Sequence, residues 1–177
     1  MVSAVPALLV GWCGVYACGG QSLDVTREKT ALISAHNWQL SDASKDPFED
    51  RPPVTTCLEQ GYGVEGTYFE VDTELCDYAT FFQPSLHRVE VGQDLEIVYW
   101  FLDLWAAKPT EGHIAIATEQ QVLYEDHVVI PAPGDVRVIE LSAPHDIAAG
   151  DLLFFHIHNH GYNNWSISSV DVWSTPQ

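Results

Sequence analysis

Basic residues are scarce in this chain of 177 residues. Seven Lys and Arg stand against 25 Asp and Glu, a formal net charge of −18 with histidines neutral. No basic stripe exists to neutralise phosphates, which excludes nucleic-acid binding. The same deficit argues against adhesion of the domain itself to an anionic lipid surface. Long apolar runs are missing too, and the apolar opening stretch is too short for a comfortable membrane span. No Gly-x-Ser-x-Gly marks an activated serine, and no CxxC spacing marks a thiolate metal site. Carboxylates that could pair for glycoside cleavage are plentiful, but without spatial proximity they carry no weight. The expectation is a protein that is not an enzyme.

What is present is a globular composition, 46% hydrophobic and 11% aromatic, at the length of one domain. The acidic excess serves solubility and leaves divalent-cation binding open. Strand patterns dominate from Thr67 onward. They cover 67–72, 79–82, 87–91, 95–102, 113–118, 122–130, 135–141, 151–158 and 166–173, with turn residues such as Gly92-Gln93-Asp94, Pro131-Ala132-Pro133-Gly134 and Ala149-Gly150-Asp151 between them. A helical period is lacking outside a short candidate helix at 28–35. The stretch 41–53, SDASKDPFEDRPP, reads as an extended loop. About eight short strands without intervening helices predict an all-β fold, an antiparallel β-sandwich of jelly-roll type.

The first 22 residues are uncharged and end in small residues. Val15-Tyr16-Ala17-Cys18-Gly19-Gly20 resembles the lipobox of bacterial lipoproteins, with Val15 at −3, Ala17 at −1 and Cys18 at +1. The resemblance implies a signal peptide at 1–17 and lipid on Cys18, followed by a tether at 18–35 and a sandwich domain at 36–177. An ordinary cleaved signal peptide is the alternative. Diacylation would give stable anchoring at the cell envelope. Gly19 rather than Asp after the cysteine implies the outer membrane in a diderm organism. Cys13 would leave with the signal. Cys57 and Cys76 then remain as an even pair in an oxidising compartment. Their disulfide would close a loop of roughly 20 residues, worth on the order of 3 kcal/mol.

The closing Asn163-Asn164-Trp165-x-Ile167-x-Ser169-Val170-x-Val172, with the long aromatic strand at 95–102, resembles the galactose-binding-like jelly roll. Many carbohydrate-binding modules share that fold. Exposed Trp and Tyr stack on sugar rings; otherwise they fill the core. Trp105 and Tyr162 fall in loops and, with Asp103, Asn163, Asn164 and Trp165, form the candidate glycan set. Jelly rolls of the resembled class often hold a structural calcium between their first and last strands, which here implies Glu70 or Asp72 with Asp171.

The most unusual run is Phe155-His156-Ile157-His158-Asn159-His160-Gly161. On a strand, alternate side chains share a face. Leu153, Phe155 and Ile157 therefore face the core, and His156, His158 and His160 lie outside it. Imidazoles two apart on one strand can chelate zinc or copper, and His113 is the candidate further ligand. A polar outer strand whose histidines bond to neighbours is the other reading. Gly150 and His156-x-His158 also fit the opening of a cupin motif, but Tyr162 and Asn163 replace its glutamate, and only 17 residues follow His160. Three functions remain: a glycan-binding envelope module, a transition-metal-binding envelope protein, and a structural surface lipoprotein that binds other proteins.

Overall fold

The computed structural model describes residues 27–174. The lipobox, Cys13, Cys18 and the signal peptide lie outside the described residues. Among the described residues, no helix is long and apolar enough to cross a membrane.

Among the described residues, eleven strands form two antiparallel sheets packed face to face. In chain order they are β1 (Lys29–Ala31), β2 (Gln39–Leu40), β3 (Tyr62–Glu65), β4 (Tyr68–Asp72), β5 (Tyr78–Pro84) and β6 (Asp94–Phe101). Then follow β7 (Thr110–Thr118), β8 (Val122–Ile130), β9 (Asp135–Ser142), β10 (Leu152–Asn159) and β11 (Asn164–Trp173). One sheet runs β3-β4-β11-β6-β9, with β1 paired to β11; the other runs β2-β5-β10-β7-β8. From β5 onward the chain crosses repeatedly between the sheets, so the predicted antiparallel sandwich is the fold found.

Alternation builds the core. Leu95, Ile97, Tyr99 and Phe101 of β6 are buried, as are Leu153, Phe155 and Ile157 of β10, as a half-buried strand requires. Strand β11 breaks the period: its inward residues are Trp165 and Ile167, then Val170 and Val172. A bulge between Ile167 and Ser169, in the pairing with β6, absorbs the extra residue. Without it, every side chain beyond would face the wrong way. Between the sheets, Phe69 packs edge-on to Phe81 at 4.9 Å, and Trp38 meets Phe69 and Phe155 at 6.1 and 5.8 Å. Cys57 and Cys76 form the expected disulfide.

Three expectations are corrected. The candidate helix at 28–35 is instead strand β1 followed by a single 3₁₀ turn at Ala35–Asn37, because Leu32 and Ile33 are drawn into the core. For the same reason the tether cannot extend to residue 35: β1 pairs with β11 from Lys29 to Ala31, so the sandwich begins before residue 36. The run 87–91 makes only an isolated bridge, Val89 to Ile147. The two-residue edge strand β2 and the hairpin strand β3 carry too little periodicity to be read from sequence.

Candidate functional site

Two regions gather chemically useful side chains. The first is an open cleft of about 500 Å³ lined by Asp72, Glu74, Trp105, Tyr162, Asn163 and Asn164. Its floor is two clasped loops. Trp105 and Tyr162 form an isolated bridge, in which the Tyr162 amide donates to the Trp105 carbonyl at 2.7 Å. The clasp needs Gly161, since a Cβ there would lie 2.9 Å from the Trp105 carbonyl oxygen and 3.0 Å from Ile130. The rings stack at 5.5 Å and 27°, and they remain 58% and 45% exposed. Exposed rings held by their own backbones form a preformed apolar platform.

Asn163 holds the left-handed backbone at φ 108°, a conformation that Asn tolerates better than most residues. Its side chain is spent on the turn: Nδ2 donates to the Asp103 carbonyl at 2.7 Å, and Oδ1 accepts from the Asn164 amide at 2.9 Å. Asp103 is spent as well, accepting from the Gly134 amide at 2.7 Å. Both side chains thus support the loops, and Asn163 also lines the cleft. Trp165 is fully buried against Phe101, at 4.7 Å; it is core and not a ligand contact. Beneath the cleft, Thr73 accepts from Asn159 Nδ2 at 2.7 Å and donates to the Asn163 carbonyl at 2.6 Å. The sequence assigns no role to Thr73 or Asn159, since polar residues at strand ends carry no periodic signal.

The acidic residues expected to hold calcium are dispersed. Glu70 faces Ser166 and Asp72 faces Asn164, whereas Asp171 sits farther along β11, opposite Glu96 and Ala31. Glu70 is engaged by Asn164 Nδ2 at 2.6 Å. Burial, then the like charge of Glu65, holds its carboxyl above the ordinary value. Asp72 accepts from the Glu74 amide at 2.9 Å. The three expected ligands are not brought to one point.

The second region is the outer face of the β2-β5-β10-β7-β8 sheet. His158 of β10 pairs with His113 of β7, and His113 pairs with His127 of β8, making a row across three strands. His156 sits two residues along from His158, as the alternation predicts. His160 lies beyond β10, its ring 4.6 Å from that of His158. This face is not open. Residues 41–53 fold over it, and Phe48 stacks on His156 at 4.1 Å and 23°, so His156 is fully buried.

Asp46 anchors that cover. Its carboxylate, 1% exposed, accepts from Arg51 and from the amide of Phe48 within the loop, at 2.9 and 3.1 Å. It also accepts from the hydroxyls of Tyr78 and Thr80 on β5, at 2.8 and 2.9 Å. Burial and the Asp46 carboxylate push the Tyr78 phenol above its ordinary pKa. Asp50, from the same loop, reaches into the histidines. His158 Nδ1 lies 2.9 Å from its Oδ2, and His113 Nδ1 and His156 Nε2 lie 3.5 and 3.8 Å from the same oxygen. Interaction with His156, then the hydrogen bond from His158, holds the Asp50 carboxyl well below the carboxylate range. Burial holds the His156 imidazole below its ordinary value. On the far side, His113 Nε2 lies 3.5 Å from Glu125, and His127 Nδ1 bonds Glu111 at 2.8 Å. Asp50, Asp46, Glu125 and His127 were missed in the sequence. Only His127 had a readable signal, as the mate of His113 across the 119–121 turn.

No known protein family matches the chain, and no curated relative does. Solved structures resemble it weakly. A carbohydrate-binding module described by its specific mannan recognition, TmCBM27, is 8% identical with a TM-score of 0.48, covering 85% of this chain and 99% of its own. The K3 cleaved adhesin domain of Lys-gingipain from Porphyromonas gingivalis w83 is 11% identical with a TM-score of 0.47, covering 84% and 100%. A CBM4 structure is 12% identical with a TM-score of 0.41, covering 83% and 95%. Likenesses of this size say nothing about what this chain binds.

Proposed function

We infer that the chain is a non-catalytic glycan-binding module that takes its ligand on the Trp105–Tyr162 platform. The observation that carries this reading is the exposed, stacked aromatic pair at the mouth of a 500 Å³ cleft edged by Asp72, Glu74 and Asn164. Apolar sugar faces meet the rings, and the rim carboxylates accept from sugar hydroxyls. The cleft is open, so binding relies on a few aromatic contacts and not on enclosure. Lipid on Cys18 would present this surface at the cell envelope. The test is an oligosaccharide array followed by calorimetry with the best ligand. Binding should fall at least tenfold in Trp105→Ala and survive in Val129→Ala, a change at an exposed valine on the other sheet. Full binding by Trp105→Ala, or no glycan bound at all, would overturn the reading.

A further inference from the structure

The geometry points to a divalent transition-metal site between Asp50, His113 and His156, a two-imidazole, one-carboxylate set in which the ion fastens the 41–53 loop to the sheet. The site is separate from the aromatic cleft and independent of what the cleft binds.

One ligand atom from each of these three residues lies within 4.8 Å of the others. The Asp50 Oδ2 separations of 3.5 Å to His113 and 3.8 Å to His156 are too long for hydrogen bonds. They are near the spacing of donors that share an ion: bonds of about 2.1 Å in a tetrahedron put ligand atoms about 3.4 Å apart. His156 Nε2 and His113 Nδ1 are buried without a hydrogen-bond partner, an arrangement that costs free energy unless something else satisfies them.

Hydrogen-bond direction shows what they lack. The Asp46 carboxylate can only accept, so the single Thr80 hydroxyl proton goes to it. Thr80 Oγ1 therefore accepts from His156 Nδ1, 2.9 Å away. The neutral imidazole then carries its lone pair on Nε2, aimed into the cluster. His113 Nδ1 and Nε2 both lack a hydrogen-bond partner, with Asp50 3.5 Å from the one and Glu125 3.5 Å from the other, so Nδ1 is free to present a lone pair to an ion shared with Asp50. The lone pair of His156 Nε2 and the Asp50 carboxylate thus converge with no proton between them, and unpartnered His113 Nδ1 stands beside both. A cation resolves that repulsion.

The surrounding groups fit as well. Metal-bound imidazoles characteristically hand their other N–H to a carboxylate or hydroxyl, which fixes the ring. His156 has Thr80 backed by Asp46, and Glu125 stands 3.5 Å from His113 Nε2. His158 Nδ1–H steadies the carboxylate of Asp50. The donor set of two nitrogens and one oxygen suits zinc, and it suits copper as well. Asp50 is 41% exposed, which leaves an entry path past the loop.

The experiment titrates the chelator-treated full chain with zinc sulfate by calorimetry, and with cobalt(II) by visible absorption. The expected result is one zinc per chain at micromolar or tighter affinity. Asp50→Asn should weaken it at least tenfold, with the fold intact by circular dichroism because Asn retains an acceptor for His158. His113→Ala should do the same, while His160→Ala and His127→Ala bind as the parent does. The cobalt spectrum should lack thiolate charge-transfer bands, which separates this site from Cys13 and Cys18. Zinc binding no tighter than millimolar would overturn the proposal, as would parent-like affinity in Asp50→Asn or thiolate bands. So would an effect confined to His127→Ala, which would put the ion with Glu125 instead.

Discussion

The cleft and the histidine face present opposite solutions to placing polar groups on a β-sandwich. In the cleft, the aromatic rings come from loops, and two polar side chains beside them are consumed by nearby backbone. Asn163 and Asp103 hold the turn, so what faces solvent is two aromatic rings with Asp72, Glu74 and Asn164 at the rim. On the histidine face, the side chains come from adjacent strands, so their spacing is set by sheet geometry at about 4.8 Å between strands. Beneath the loop that covers them, His156 Nε2 and His113 Nδ1 are buried without a hydrogen-bond partner. A loop-built surface spends its polar groups on its own conformation. A strand-built one needs no such support and can leave them free for a ligand.

If that contrast holds, the two regions should respond differently to substitution. The largest effect is expected at Asp46, where Asp46→Ala strips four donors of their acceptor beneath the loop. It should cost about 3 kcal/mol in urea unfolding, in the range for breaking a buried charged pair. A loss under about 1 kcal/mol would mean that the cover is not coupled to the fold. Next is Thr73→Val, which keeps the shape but abandons Asn159 Nδ2 and the Asn163 carbonyl; about 1–3 kcal/mol should be lost, with Trp105 fluorescence altered as the clasp loosens. Trp105→Ala itself should change stability by no more than about 0.5 kcal/mol, since its ring is mostly exposed. A larger loss would make the platform part of the fold.

The smallest effect concerns Glu70, whose folded pKa is raised by burial and by Glu65. For a raised carboxyl, the stabilising contribution is present below the unfolded value of about 4.5 and fades as pH rises through the folded value. Glu70→Gln should therefore match the parent's urea midpoint near pH 4 and exceed it near pH 7. Equal midpoints at both would show that Glu70 ionises without penalty.

Much of the fold was legible because burial imposes a period. The runs at 95–102 and 122–130 fall within a residue of β6 and β8, and the inward Leu153-Phe155-Ile157 set was readable from alternation alone. The same alternation put His156 and His158 together on the opposite face. The elements misread were short. β1 has three residues, too few to show a period, and its pairing with β11 is set by a partner 140 residues away. In the cleft, loop position identified Trp105 and Tyr162. The sequence could not separate them from Trp165, which differs only in starting an inward-facing stretch of strand.

Local periodicity alone dictates the sandwich and the face on which the histidines of β10 lie, whereas the Cys57–Cys76 pair is reached only by setting aside Cys13 and Cys18 on the lipobox resemblance. Tertiary structure decided which polar groups are free. The loop 41–53 was recognisable as a loop. That it lies over the histidine face depends on Asp46 meeting Tyr78 and Thr80, and on Asp50 meeting His158 across 108 residues. No local pattern encodes those contacts, because they arise only after two sheets have formed and a surface exists to be covered.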